Sequence, residues 1–249
     1  MKILLNNGAK EKVKKFYQLE WHDVYFKDIG ISSTDLPSKR FYNKFYEKFF
    51  EKYNDFGDLD QVWVEYKIEI AERINALVKN KTNILSIGSG IGIVENALTK
   101  LNPNVRIVAI EPSENASKWV RGNSNISVVD GYFPECMDRE LSFDFVYANN
   151  IDYVFDGGEY DRFLKSVVDY GVKDFLIITS ANYNIWIFLK LFVKEILGAF
   201  GVIDKLANGQ LWGYLRSKGE HIEALRKAGF INIQFTTLGT DTILIRAKS

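Results

Sequence analysis

The chain has 249 residues, of which 47% are hydrophobic, so it can bury the core of one domain or of one domain with a cap. Lysine plus arginine and aspartate plus glutamate number 32 each, which leaves no net charge to attract nucleic acid. The single cysteine, Cys136, excludes an intrachain disulfide and a cysteine-based zinc site. The apolar run at the start is too short for a signal peptide, so we expect a cytoplasmic protein.

Residues 1–58 are rich in aromatic and basic side chains. Rings recur there at intervals of four, which predicts a helix with a broad aromatic face: Phe41, Phe45 and Phe49, with Tyr42, Tyr46 and Phe50. We expect residues 1–58 to form a helical cap. Its aromatic face either packs on the main domain alone or also lines a substrate pocket. His22 lies in the same segment.

A glycine-rich loop follows the first predicted core strand. An amphipathic helix is predicted over residues 59–80, and a buried strand over 84–87. Gly88, Gly90 and Gly92 come next, and helical spacing resumes at Val94. A strand, a glycine loop and a helix in succession place backbone N–H groups at the carboxyl edge of a sheet, where doubly wound folds bind ligands.

An acidic residue, Glu111, closes the second predicted strand, residues 105–110. At that point a carboxylate can accept hydrogen bonds from both hydroxyls of an unphosphorylated ribose. The loop departs from the dinucleotide fingerprint Gly-x-Gly-x-x-Gly, because the third glycine is Gly92 and Ile93 occupies the dinucleotide position. The sequence therefore predicts a site for the adenosine part of a cofactor other than a dinucleotide.

The strand, the Gly-x-Gly-x-Gly loop and the acidic end of the next strand resemble the class I S-adenosylmethionine-dependent methyltransferases. The resemblance covers residues 59–249 and implies an α/β fold: a doubly wound, seven-stranded, mostly parallel sheet of Rossmann-like type, whose last strand is antiparallel. It implies S-adenosyl-L-methionine as the cofactor and S-adenosyl-L-homocysteine as the product. One position departs from the family pattern, because Ser86 stands where an acidic residue usually contacts the cofactor's amino group.

The resemblance also implies roles for residues at the ends of the strands. Asp130, after the third strand, would accept a hydrogen bond from the adenine amino group. The Asp130-Gly131 pair is also typical of a turn without any ligand contact. Asn149, after the fourth strand, would border the methionyl end. The complete set of expected cofactor contacts is Ser86, Gly88, Ser89, Gly90, Gly92, Glu111, Pro112, Asp130, Gly131 and Asn149.

A helical insertion is expected at about residues 183–216. Its first part, 184–200, is a strongly apolar helix that could cap the active site, form a homodimer interface or lie on a membrane surface. Its second part contains Trp212, Tyr214 and Arg216, which either contact a polar substrate together with Tyr153 or anchor the following helix. A helix at 220–228 and two strands at 231–237 and 242–246 complete the predicted fold.

The expected function is methyl transfer to a hydroxyl oxygen of a small polar acceptor such as a sugar or a nucleotide-linked precursor. No Asn-Pro-Pro-Tyr or Asp-Pro-Pro-Tyr motif is present, which argues against methylation of DNA bases or glutamine. Candidate bases are Asp152, His22 and His221. Ligand spacing gives no sign of a metal site. The alternatives are N-methylation of a small amine, an inactive methyltransferase-like scaffold and, more distantly, a nicotinamide dehydrogenase.

Overall fold

A seven-stranded sheet forms the centre of the molecule. The computed structural model describes residues 14–29, 36–179, 182–202, 209–239 and 242–249. The sheet strands are β4 (Asn83–Ile87), β5 (Arg106–Glu111), β6 (Ile126–Asp130), β7 (Phe145–Asn149), β8 (Asp174–Ile178), β10 (Asn232–Leu238) and β11 (Thr242–Lys248). Their order is β10-β11-β8-β7-β4-β5-β6, and β11 runs antiparallel to both of its neighbours. The predicted α/β fold with an antiparallel last strand is therefore confirmed.

Helices cover both faces of the sheet because the strands are apolar on both sides. The helices are α2 (Gln61–Leu77), α3 (Ile93–Leu101), α4 (Gly157–Asp169) and α6 (Lys218–Ala228). Along β4, Ile84 packs with α2 and α3, whereas Leu85 and Ile87 pack with α4 and α6. This alternation follows from the two-residue period of a strand.

The segment over the carboxyl edge of the sheet contains strands as well as a helix. It consists of β1 (Lys14–Gln18), β2 (Glu20–Trp21), β3 (Val24–Tyr25), a 3₁₀ turn (Phe26–Ile29), α1 (Lys39–Lys52) and the distant strand β9 (Gln210–Leu215). β1 pairs antiparallel with β9, so the expectation of a helical cap over residues 1–58 requires correction, and residues 1–13 and 30–35 of that range lie outside the described residues. The pairing joins residues far apart in sequence, which local periodicity cannot reveal. The connection after β5 contains a 3₁₀ turn at Ala116–Trp119.

The apolar helix α5 (Ile185–Ala199) forms where the sequence predicts it, with Asn184 as its N-cap. Ile187 and Gly198 are buried, but most of its large apolar side chains are exposed. Trp186 is 71% exposed, and Phe200, which follows the helix, is 81% exposed. None of the side chains that the structure describes in this helix lines the main cavity described below. Within the described ranges, no helix has the length and apolarity needed to cross a bilayer.

Candidate active site

A cavity of about 530 Å³ lies at the carboxyl ends of β4, β5 and β7. From β4 the chain continues to β5 and β6 on one side and then to β7 and β8 on the other. Doubly wound sheets bind ligands at the carboxyl ends of the strands where this change of side occurs. The volume is in the range of small-molecule sites. One part of the lining is polar and is built from the strand ends. The other part is built mainly from aromatic rings of α1, β1, β9 and the loop after β7.

The three glycines of the loop after β4 are needed for different structural reasons. A Cβ at Gly88 would lie 2.1 Å from Ile151 Cγ2, and one at Gly92 would lie 2.5 Å from Val120 Cγ1. Both residues also have positive φ, at 78° and 80°. Gly90, with φ 56°, lines the cavity, and a Cβ there would meet only the Tyr46 hydroxyl at 3.4 Å. Gly88 and Gly90 line the cavity, whereas Gly92 does not line it and instead lets the loop pack closely against Val120.

Glu111 lines the cavity and is held by two backbone N–H groups. Gly90 N–H donates to its Oε2 at 2.9 Å, and Ser113 N–H donates to its Oε1 at 3.1 Å. Burial raises the pKa of Glu111 to about 7, despite these two donors. A carboxylate has further lone pairs, so Glu111 can still accept hydrogen bonds from two ligand hydroxyls.

The end of β6 differs from the expectation for Asp130. The Asp130 side chain is exposed, pairs with Arg121 and does not line the cavity. Gly131 does line the cavity, as do Pro112, Tyr132 and Phe133. The two rings of residues 132 and 133 offer apolar surface at the place where the sequence suggested a carboxylate.

Ser86 is completely buried and lies outside the cavity lining. Its hydroxyl donates to Glu95 Oε1 at 2.6 Å, and the Tyr147 hydroxyl donates to the same oxygen at 2.8 Å. Burial raises the pKa of Glu95. The acidic group that the sequence lacks at position 86 is thus present on α3, directly behind that serine.

Several buried polar atoms at the cavity have no hydrogen-bond partner among the described residues. They include Ser89 Oγ, Asn149 Oδ1, Gln18 Oε1 and His22 Nε2. Buried polar groups are nearly always satisfied, so unpaired atoms around one cavity indicate a ligand that supplies their partners. With the glycine loop and Glu111, these atoms fit a nucleoside that carries a polar arm.

The second part of the cavity is lined by rings. Nine of these residues are Phe16, Trp21, Tyr42, Phe45, Tyr46, Phe49, Trp63, Tyr153 and Trp212. Trp212 is the extra residue of a β-bulge, because Phe16 pairs with Gly213 and Tyr17 pairs with Leu211. Bulges redirect side chains next to functional sites, and here the indole stacks on Tyr153 at 5.6 Å. The shape and chemistry suit a flat, largely apolar ligand.

Of the three candidate bases, only His22 lines the cavity. Burial and the nearby Lys67 charge lower the pKa of His22 to about 4, so the imidazole is neutral at pH 7. Asp152 is 2% exposed and lies 3.7 Å from His221 Nε2. His221 is fully buried, and its Nδ1 is 2.7 Å from the Tyr160 hydroxyl. Asp152 and His221 therefore lie behind the cavity.

Arg216 and Tyr214 also lie outside the cavity lining, unlike Tyr153 and Trp212. The Arg216 guanidinium is buried and donates to the backbone carbonyls of Asp152, Phe155 and Asp156, at 2.5, 2.6 and 2.9 Å. This arginine therefore fixes the loop that carries Tyr153. Tyr214 is half-buried on β9.

Two charged residues were not predicted from the sequence: Lys67, which lines the cavity, and Glu95, which lies behind it next to Ser86. Lys67 of α2 lines the cavity, and its Nζ donates to Asn150 Oδ1 at 3.0 Å. Each of the two occupies a helix position whose neighbours at three or four residues are buried and apolar, such as Ile70 for Lys67 and Leu98 for Glu95. A charge on the inner face of a predicted helix was the available signal.

Among the described residues, no group of three or more His, Cys, Asp or Glu side chains could hold a metal ion.

No protein-family model matches the sequence, and no curated protein matches it either. Solved structures do match.

Human N-acetylserotonin methyltransferase in complex with S-adenosylmethionine is 17% identical over 90% of this chain and 61% of its own, with a TM-score of 0.58. Mitomycin 7-O-methyltransferase MmcR is 17% identical over 76% and 54%, with a TM-score of 0.57. Magnesium protoporphyrin IX methyltransferase from Synechocystis, with bound S-adenosylhomocysteine, is 13% identical over 84% and 96%, with a TM-score of 0.56. The chain spans about three fifths of the human enzyme's length. These similarities show the class I S-adenosylmethionine-dependent methyltransferase fold.

Proposed function

We propose that this chain, which has the class I methyltransferase fold, binds S-adenosylmethionine and methylates a hydroxyl oxygen of a small planar acceptor. The observation that carries the proposal is one continuous cavity with two kinds of lining. The glycine loop and Glu111 supply polar groups to the lining, and aromatic rings supply most of its apolar surface. Two of the similar structures are O-methyltransferases by name, which agrees with the proposed reaction.

The polar end would hold the cofactor. Glu111 would accept hydrogen bonds from the ribose hydroxyls, and Gly90 would allow the backbone to approach the cofactor closely. Tyr132 and Phe133 would pack on the adenine, and Asn149 would contact the methionyl arm. When bound, the cofactor supplies an electrophilic methyl group. The chain's own contribution is to orient the acceptor and exclude water, and alignment alone can contribute about 7 kcal/mol or more.

The ring-lined end favours a phenolic acceptor over the sugar or nucleotide-linked acceptor expected from the sequence. Sugars need many hydrogen-bonding partners, and this end offers mostly ring carbons. His22 would accept the hydroxyl proton at Nε2, because the imidazole is neutral and that nitrogen has no partner among the described residues. An imidazole of such low pKa is a weak base, and a phenol, with a pKa of about 10, yields its proton far more readily than an alcohol.

Calorimetric titration with S-adenosylhomocysteine and with NAD tests the cofactor. We expect binding of the former only, and the absence of binding at millimolar concentration would refute the proposal. Incubation with labelled S-adenosylmethionine and matched panels of phenols, amines and polyols then tests the acceptor, with products identified by mass spectrometry. Label on an amine would indicate N-methylation, and binding without any turnover would indicate an inactive scaffold.

A further inference from the structure

Lys67 brings a positive charge into a cavity that is otherwise mostly apolar. Among the described residues that line the cavity, it is the only lysine or arginine, and Glu111 is the only acid. It projects from the inner face of α2, beside Trp63 and Tyr66, whose rings lie 5.9 and 5.8 Å from its Nζ.

The ammonium group of Lys67 lacks a charged partner. Its Nζ donates to the neutral amide of Asn150, and no carboxylate of a described residue lies within 4.0 Å of it. Glu95 acts on it only through longer-range attraction, and burial lowers the pKa of Lys67 to about 8. The amine is therefore still protonated at pH 7, with up to two N–H donors beyond the one used by Asn150.

Buried lysines are rare unless they are paired, because removal of an ammonium from water is costly. The buried Arg216 donates to three backbone carbonyls instead, but two partly buried cations of this chain do follow that rule. Lys81 and Arg246 both pair with Asp174. An unpaired lysine at a cavity therefore points to a ligand anion. A single ammonium beside a neutral amide matches the charge and size of one carboxylate.

We propose that Lys67 binds a carboxylate group of a molecule held in the cavity, with Asn150 fixing the direction of its ammonium group. This inference rests on the proposed function. The carboxylate has two possible sources: the amino-acid arm of the cofactor, or a carboxyl substituent on the planar acceptor. In either case the bound anion would compensate the charge of Lys67, which together with the larger effect of burial lowers the pKa of the neighbouring His22.

Binding measurements with Lys67→Met distinguish the two sources. Methionine keeps the aliphatic part of the side chain and removes the buried charge, so the fold should tolerate it. Lys165→Gln is the matched control, since Lys165 is exposed on α4. The probes are S-adenosylhomocysteine, 5′-methylthioadenosine, which lacks the amino-acid arm, and 4-hydroxybenzoate and phenol added to protein saturated with S-adenosylhomocysteine.

If the carboxylate belongs to the cofactor, Lys67→Met should weaken S-adenosylhomocysteine binding about tenfold to a hundredfold and leave methylthioadenosine binding unchanged. If it belongs to the acceptor, the same loss should affect 4-hydroxybenzoate but not phenol. The inference is overturned if Lys67→Met binds S-adenosylhomocysteine as well as the wild type does and, in addition, 4-hydroxybenzoate shows no difference between them. The latter holds when neither protein binds 4-hydroxybenzoate or when both bind it equally. Equal losses for the charged and uncharged probes also overturn it. Failure of the wild type to bind S-adenosylhomocysteine would instead overturn the proposed function.

Discussion

Replacing Glu111 with glutamine should weaken cofactor binding without weakening the fold. The pKa of Glu111 is raised from 4.5 to about 7 in the folded chain, which corresponds to a penalty of about 3 kcal/mol for the charged form. Because the folded pKa is the higher one, this penalty is absent below pH 4.5, grows as the pH rises and is complete above pH 7.

Glu111→Gln removes this penalty, but it leaves Gly90 N–H or Ser113 N–H without its acceptor, which costs about 1–3 kcal/mol. At pH 8 the free energy of unfolding should therefore equal or exceed that of the wild type by up to about 2 kcal/mol. The variant also loses the charged acceptor for the ribose, so its affinity for S-adenosylhomocysteine should fall about tenfold to a hundredfold. Urea unfolding and calorimetry measure the two quantities.

The pH dependence of binding provides a second measurement. If only ionised Glu111 binds the ribose, the competent fraction of the empty protein falls from about one half at pH 7 to about 1% at pH 5, which weakens binding about fiftyfold. Glu111→Gln should remove this dependence, whereas Glu114→Gln, at an exposed position, should retain it. Equal affinity of Glu111→Gln and wild type, or a wild type insensitive to pH over this range, would refute the ribose assignment.

Three further outcomes are expected. Gly88→Ala should lower the free energy of unfolding by about 2–4 kcal/mol, because its Cβ would lie 2.1 Å from a neighbouring side chain and its φ is positive; Gly122→Ala, with nothing within 4 Å, is the control. His22→Gln should lower turnover about 10²- to 10⁴-fold with an unchanged dissociation constant for S-adenosylhomocysteine, and undiminished turnover would exclude His22 as the base. Combined Trp186→Ser and Phe200→Ser should leave that constant unchanged, because α5 does not line the cavity; weaker binding would show that it does contribute.

The sheet and the cofactor end of the cavity could be predicted from the sequence because local patterns determine them. A buried strand, a loop with glycines at every second position and a carboxylate at the end of the next strand lie within thirty residues of one another. In the structure, Gly88, Gly90 and Glu111 all line the same cavity. Positive φ is the physical reason for glycine at positions 88 and 90, and the carboxylate of Glu111 provides the acceptor for the N–H groups of Gly90 and Ser113.

The acceptor end could not be predicted in the same way, because contacts between distant segments determine it. Trp212 reaches the cavity through a bulge in β9 that exists only when β9 pairs with β1. Arg216 resembled a substrate-binding residue, yet it donates to three backbone carbonyls some sixty residues earlier. Asp130 ends β6 as expected, but Arg121 draws its side chain to the surface.

The order of synthesis adds a constraint, because β1 and its partner β9 lie far apart in the sequence. In a growing chain, β1 and then β4 to β8 leave the ribosome before β9, so for an interval β9 is missing. During that interval β1 is an unpaired strand edge, which can pair with another chain. The ring-lined end of the cavity, to which β1 and β9 both contribute, can therefore form only after β9 has been synthesised.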